Sequence, residues 1–417
     1  MAIAGFRWRA AARASTFCSR AAARASTIRV VLVLLALSGA CSDDDGGSND
    51  DAGKPGDAGG GDAGTGSDAA LSFQEFDSVI EKFLQDKGLA GATAALVHKE
   101  RGPVHERGYG NFDKSRLSLI ASTSKVLSVG VLMALADAGK LDLDMPISTY
   151  LSAWGNFKTD VTTAMLLSNS SGLVSLAANP YYASYICQYT DSSVLQTCAK
   201  NIYTADDKAD STTPDTTFSY GGAQWQLAGG IAEVVSSKRW PELIKDTYVT
   251  PCGTTSLGFT NQFTRATGEG SGTGYPKFFM ADPANLPMTE NPNIEGGGYI
   301  TAGDYAKILL MHLRGGLCGD KRVLSEASVK RMQVDRIAEK YDGSTTSQAL
   351  QGYGMGWWID RNNPGFFADP GLYGAVAWLN TGEDYGAYVA LEATSALGTE
   401  LLGLLKPVAD AAFQAAK

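Results

Sequence analysis

Histidine is almost missing from this chain. Its 417 residues hold three, His98, His105 and His312. None stands in a recognisable triad setting, which removes a common route to an activated nucleophile. Histidine and cysteine form no cluster with metal-ligand spacing, so neither a metal nor another cofactor is expected. Membrane-length apolar runs are missing too: residues 30–37 form an unbroken run, too short to cross a bilayer. Positive charge is in deficit, with 35 Lys and Arg against 44 Asp and Glu for a formal net charge of −9. That balance argues against nucleic acid as a partner.

The first 40 residues read instead as an export signal. Arginines between Arg7 and Arg29 form a basic n-region, residues 30–37 the apolar h-region, and Ser38, Gly39 and Ala40 the small residues before Cys41. This site resembles the lipobox of bacterial lipoproteins, in which the cysteine is lipidated. It departs from that pattern at Ser38, where an aliphatic residue is usual, and plain secretion is the alternative. Residues 42–70 are almost entirely Gly, Asp, Ala and Ser, without a large apolar side chain. Such a segment builds no core and reads as a solvated tether. The expectation is an exported, envelope-bound protein that touches membrane only through a lipid on Cys41.

The folded part, residues 71–417, contains Cys187, Cys198, Cys252 and Cys318, an even number in an oxidising compartment. Cys187 and Cys198 lie close together in a loop-rich stretch, which pairs them and leaves Cys252 for Cys318. Four cysteines allow three connectivities, and the sequence alone does not choose among them.

A folded part of this length is long for one core, so two lobes are expected. Ser72 to Glu75 looks like a capping box opening a helix to Asp86. Residues 91–98 read as a buried strand and 107–111 as a second. The apolar segment after Ser122 reads as a buried helix ending at Gly139. Between about 151 and 291 helical pieces and loops dominate. Thr301 caps a helix running to Leu313, residues 353–359, 374–379 and 386–392 alternate as strands, and 397–416 form a closing helix. The fold class is thus α/β in the α+β sense. An antiparallel sheet flanked by helices is built from both ends of the chain, about 71–150 and 292–417, with a helical lobe inserted at about 151–291.

The pattern Ser-x-x-Lys occurs once, at Ser122-Thr123-Ser124-Lys125. A spacing of three on a helix puts both side chains on one face. An amine then reaches a hydroxyl, which is what a serine needs to attack at neutral pH. The free N–H groups at a helix start favour an oxyanion. Burial beside a second positive or polar group is expected to lower the Lys125 pKa, and the ammonium to lower that of a nearby tyrosine. Tyr220, just ahead of Gly221 and Gly222, follows a turn and precedes a helix. It is one of seventeen tyrosines, so its candidacy rests on the wider pattern. The plain alternative makes Ser122 a helix cap and Lys125 a surface residue. The run that follows, apolar nearly all round, opposes it.

Together these segments resemble the serine hydrolase family that contains class C β-lactamases, DD-peptidases and related esterases. Residues 166–173 are similar to its Leu-Leu-x-His-Thr-Ser-Gly-Leu, and 214–220 to its Pro-Gly-x-x-Phe-x-Tyr. Residues 296–302 match a glycine stretch lining the cleft, and 354–358 the strand entering the third motif. The resemblance spans about Ser72 to Phe413 and implies a β-lactamase/transpeptidase-like fold. It implies Ser122 as the acylated nucleophile, Lys125 as its helper, and Tyr220 as general base and then acid. It further implies the backbone N–H groups of Ser122 and Leu372 as the oxyanion hole, with Gly297 beside the substrate.

Two departures bear on substrate. Gly222 stands where the family's Tyr-x-Asn has its asparagine. The third motif, Lys-Thr-Gly or His-x-Gly in the family, aligns with Asp369-Pro370-Gly371. Gly371 keeps room for close backbone approach to an acyl group. Asp369 would repel the carboxylate of a β-lactam or a peptide terminus. The expectation is an exported serine hydrolase acting on a small-molecule ester first, an amide or peptide second, and a β-lactam third. A binding protein for cell-wall fragments that does not turn over is the alternative.

Overall fold

The computed structural model describes residues 71–176, 178–179, 181–263, 274–337 and 351–416. The leader, the tether and Cys41 lie outside these residues. Seven strands make one antiparallel sheet: β1 (Gly91–His98), β2 (Gly102–Gly110), β3 (Gln351–Tyr353), β4 (Trp358–Asp360), β5 (Phe366–Pro370), β6 (Ala375–Asn380) and β7 (Tyr385–Ala390). Their order across the sheet is β2-β1-β7-β6-β5-β4-β3. The first hairpin closes on the last strand, with Thr93 opposite Ala390 and His98 opposite Tyr385.

β1 is buried residue after residue up to Val97 because both faces of the sheet are covered. On one face the helices Gln74–Lys87 and Ser395–Gln414 bring Phe76, Ile80, Leu401 and Leu405 against Leu96, Val376 and Trp378. On the other lie the helices Ala302–Leu313 and Lys125–Asp137, and Tyr305 stacks on Tyr388 with centroids 4.6 Å apart. The helix Lys125–Asp137 is buried over nearly its whole length. Gly130 is needed on it, since a Cβ there would lie 1.9 Å from the Tyr248 hydroxyl, which donates to Leu127 O at 2.8 Å. Between residues 151 and 291 the chain forms helices Thr163–Leu167, Leu195–Tyr203, Gly222–Ser236 and Trp240–Ile244. A short strand there, Gly258–Phe259, pairs with Gly298–Ile300.

Two local expectations are corrected, and one strand was missed. Ser72 does not cap the first helix, which starts at Gln74 behind Phe73 without a side-chain cap. Packing of Phe73 against Phe413, 5.5 Å between centroids, sits at that entry instead. Residues 353–359 are two strands, broken at Gly356 (φ 82°), where a Cβ would come within 3.2 Å of the Val126 backbone. β5 was not read from the sequence: its first four residues are all buried, so it gives no in-out alternation.

The disulfides are Cys187–Cys198 and Cys252–Cys318, with Cα separations of 5.5 and 5.0 Å. Their sequence separations are 11 and 66. On chain entropy, removing the longer loop's bridge costs about 4 kcal/mol and the shorter one's about 3. Urea unfolding of the two double Cys→Ser variants is therefore expected to show the larger loss for Cys252 and Cys318.

Candidate active site

Ser122 stands on a single 3-10 turn, Ala121–Ser124, that runs into the helix starting at Lys125. Ala121 is held at φ 46°, a conformation that residues with a Cβ rarely adopt unless their surroundings fix it. The surroundings do fix it. Thr123 Oγ1 donates to the backbone oxygens of Asp369 and Ala375, each at 3.0 Å. Ser124 Oγ donates to Ala121 O at 2.6 Å and accepts the Gly298 N–H at 2.9 Å. Tyr305 donates to Thr123 O at 2.9 Å. A Cβ on Gly371 would lie 2.1 Å from Ile120 O, so the room expected there for an acyl group is used by the backbone before Ser122.

Lys125 follows one turn later with a side chain of 0% exposure. Its Nζ donates to Ser122 Oγ at 3.1 Å, to Glu295 O at 3.1 Å and to Glu295 Oε2 at 3.3 Å. The Tyr220 hydroxyl donates to the same Ser122 Oγ at 2.9 Å. Residues 98 positions apart thus meet at one oxygen. Tyr220 sits on a braced loop. Ser219 N donates to Asn169 O at 2.7 Å, and Gln224 Nε2 reaches both Asn169 Oδ1 at 3.0 Å and Ser219 O at 2.7 Å. The Tyr220 ring stacks on Trp358 at 6.1 Å.

Burial alone would lower the Lys125 pKa, but the Tyr220 oxygen and the Glu295 carboxylate outweigh it and hold the group above its ordinary value. Tyr220 is also pushed up, first by burial and then by the carboxylates of Glu295 and Asp369, against the pull of Lys125. Both expected shifts are therefore reversed in sign. The sequence reading placed a second cation or a neutral polar group beside Lys125, and the structure puts a carboxylate there.

Asp369 is 1% exposed, and no side chain hydrogen-bonds to its carboxyl oxygens. Burial pushes its carboxyl well above the usual range, against the charge of Lys125 and the Val126 N–H. Strand alternation turns it away from Ala368 and Pro370, which line the groove. It is thus not the substrate-facing carboxylate expected from the sequence. Gly222 opens the helix Gly222–Ser236 and is buried. Gly297 is buried too, donating to Asn293 O at 2.8 Å and accepting the Thr260 N–H at 2.9 Å. It braces the site rather than lining it. Leu372 does line the groove. The sequence reading missed Glu295; its signal was a single acidic residue ahead of three glycines.

A groove of about 370 Å³ opens at Ser122 and Tyr220 and passes Trp358, Phe366, Ala368, Pro370 and Leu372 to Leu402. Asp360 also lines it, and among the described residues no lysine or arginine does. Among the described residues no group of His, Cys, Asp and Glu is placed to hold a metal.

A family model described as Beta-lactamase matches residues 76–400. The chain is 28% identical over 309 residues to penicillin-binding protein 4 of Amycolatopsis lactamdurans, covering 69% of this chain and 76% of that one. Its fold is similar to EstCE1, a hydrolase with promiscuous acyltransferase activity, with a TM-score of 0.63, 16% identity, and 84% and 100% of the two chains covered. It is also similar to the octameric penicillin-binding protein homologue of Pyrococcus abyssi, with a TM-score of 0.60, 20% identity, and coverage of 80% and 77%. The chain belongs to the beta-lactamase family of serine hydrolases, which includes esterases and penicillin-binding proteins.

Proposed function

We propose that this protein is an exported serine hydrolase that cleaves carboxylic esters through an acyl-enzyme on Ser122. The observation that carries the reading is the convergence of Lys125 and Tyr220 on Ser122 Oγ, at 3.1 and 2.9 Å. With both groups protonated at rest, the attacking form arises when the pair sheds one proton. Tyr220 then takes the Ser122 proton as Oγ attacks the carbonyl carbon, and the Lys125 ammonium stabilises the phenolate. The N–H groups of Ser122 and Leu372 receive the oxyanion. Neither donates to a backbone acceptor among the described residues, which supports that role. Tyr220 returns the proton to the leaving alkoxide, and water repeats the sequence on the acyl-enzyme.

The groove favours a neutral ester. Its walls are mostly apolar and offer no cation to a substrate carboxylate. Amides and peptides follow. A β-lactam or peptidase reading is second, favoured by the relative that is named a penicillin-binding protein. The acyltransferase activity in the name of EstCE1 agrees with an acyl-enzyme. Export is supported by the leader pattern and by two disulfides, with Cys41 as the proposed lipid anchor.

Ser122→Ala is expected to lower kcat/KM on short-chain p-nitrophenyl esters by at least about 1,000-fold with an unchanged unfolding midpoint. A chromogenic cephalosporin should be cleaved at least about 100-fold more slowly than the ester, since its carboxylate finds no partner; equal rates would move the protein toward the β-lactamases. The raised proton affinity of Lys125 and Tyr220 predicts a pH profile too. A group whose pKa is raised gives up its proton only at higher pH, so ester turnover should climb from neutral into alkaline solution. A flat profile would contradict the proposed base.

A further inference from the structure

We propose that Glu295 is the positioning residue for Lys125, and that Glu295 and Gly222 form a compensating pair, the carboxylate filling the space that a side chain at position 222 would need. The inference rests on the reading of Ser122, Lys125 and Tyr220 given above. An ammonium has three donors, and the Lys125 Nζ makes three hydrogen bonds, two of them to Glu295. The backbone oxygen and the side chain of a single residue therefore fix where the amine stands relative to Ser122. Glu295 is itself nearly buried, at 8% side-chain exposure, and burying a carboxylate is costly unless a cation meets it.

The space argument is independent of these bonds. A Cβ on Gly222 would lie 2.1 Å from Glu295 Oε1 and 2.5 Å from its Cδ. It would also lie 2.1 Å from Gln188 Oε1. No asparagine fits at 222 while Glu295 stands where it does. The chain after Glu295 is tied by hydrogen bonds and joined to the serine turn: Gln262 Nε2 donates to Gly296 O at 2.8 Å, Ile120 N to Gly298 O at 3.0 Å, and Gly298 N to Ser124 Oγ at 2.9 Å. A contact from Glu295 therefore keeps Lys125 in register with Ser122.

The groups facing Lys125 are Tyr220, Glu295 and Asp369. Removing the Glu295 charge makes proton loss from the Lys125 and Tyr220 pair easier, so the acid limb of the pH profile moves to lower pH. A purely structural role would lower the rate without moving that limb.

The test measures p-nitrophenyl ester kinetics and thermal unfolding of the intact protein. Glu295→Gln should lower kcat about tenfold and Glu295→Ala about 100-fold, with KM little changed, as expected for a displaced catalytic group. Glu295→Gln should also shift the acid limb to lower pH. In a Gln188→Ala background, which clears the other contact at position 222, Gly222→Asn combined with Glu295→Ala should recover at least about tenfold of kcat over Glu295→Ala by placing an amide beside the amine. The proposal is overturned if Glu295→Gln keeps both the wild-type kcat and the wild-type pH profile, or if, in the Gln188→Ala background, the folded Gly222→Asn/Glu295→Ala variant is no faster than Glu295→Ala. Should Glu295→Ala fail to fold, the near-isosteric Glu295→Gln profile decides alone. If Ser122→Ala retained activity, the functional reading would fall instead, and the two failures are distinct.

Discussion

A buried ammonium group is the constraint around which this molecule is arranged. Lys125 has no exposed side-chain surface, and an unpaired charge in that position would be prohibitively costly. It is tolerated because each donor finds an oxygen, and one of those oxygens is the hydroxyl of Ser122. The same contacts that make the burial tolerable set the geometry on which the proposed reaction rests. Stability and chemistry therefore share a set of atoms, and the apolar helix behind Lys125 leaves the amine no other direction to turn.

The fold serves that arrangement. Building the sheet from both chain ends brings β5 and β6 against the turn at Ser122, where Thr123 ties them together. The helical segment contributes Tyr220 from the loop ahead of Gly222–Ser236, and the stretch before Gly298–Ile300 contributes Glu295. The electrostatic result is a Lys125 and Tyr220 pair with raised proton affinity beside a groove that is mostly apolar. A groove without a lysine or arginine among its described lining residues offers no ion pair to a substrate carboxylate, which is the ground for the proposed preference for a neutral ester.

The parts of this design that the sequence carried are those set by local pattern. β1 and the helix after Ser122 are continuous apolar runs, and Ser122 and Lys125 are three residues apart on one helical face. Tyr220 was legible only through a family pattern, since a single tyrosine ahead of two glycines has no physical signature of its own. Glu295 was not legible. It meets Lys125 across 170 residues, and neither residue carries a mark of the other. The side taken by Asp369 follows from the register of β5, a strand that gave no alternation to read. For the same reason the pKa directions came out reversed: the sign of a shift depends on which charge is nearest, and that is a tertiary fact.

The central claim is that Ser122 becomes covalently acylated. Treating the protein with a p-nitrophenyl alkylphosphonate, which mimics the tetrahedral intermediate and stays bound, tests it directly. Intact mass and peptide mapping should show one phosphonyl group, placed on Ser122, with ester hydrolysis lost in proportion and no adduct in Ser122→Ala. Phosphonylation at another residue, or ester turnover that continues unchanged with Ser122 fully modified, would contradict the account.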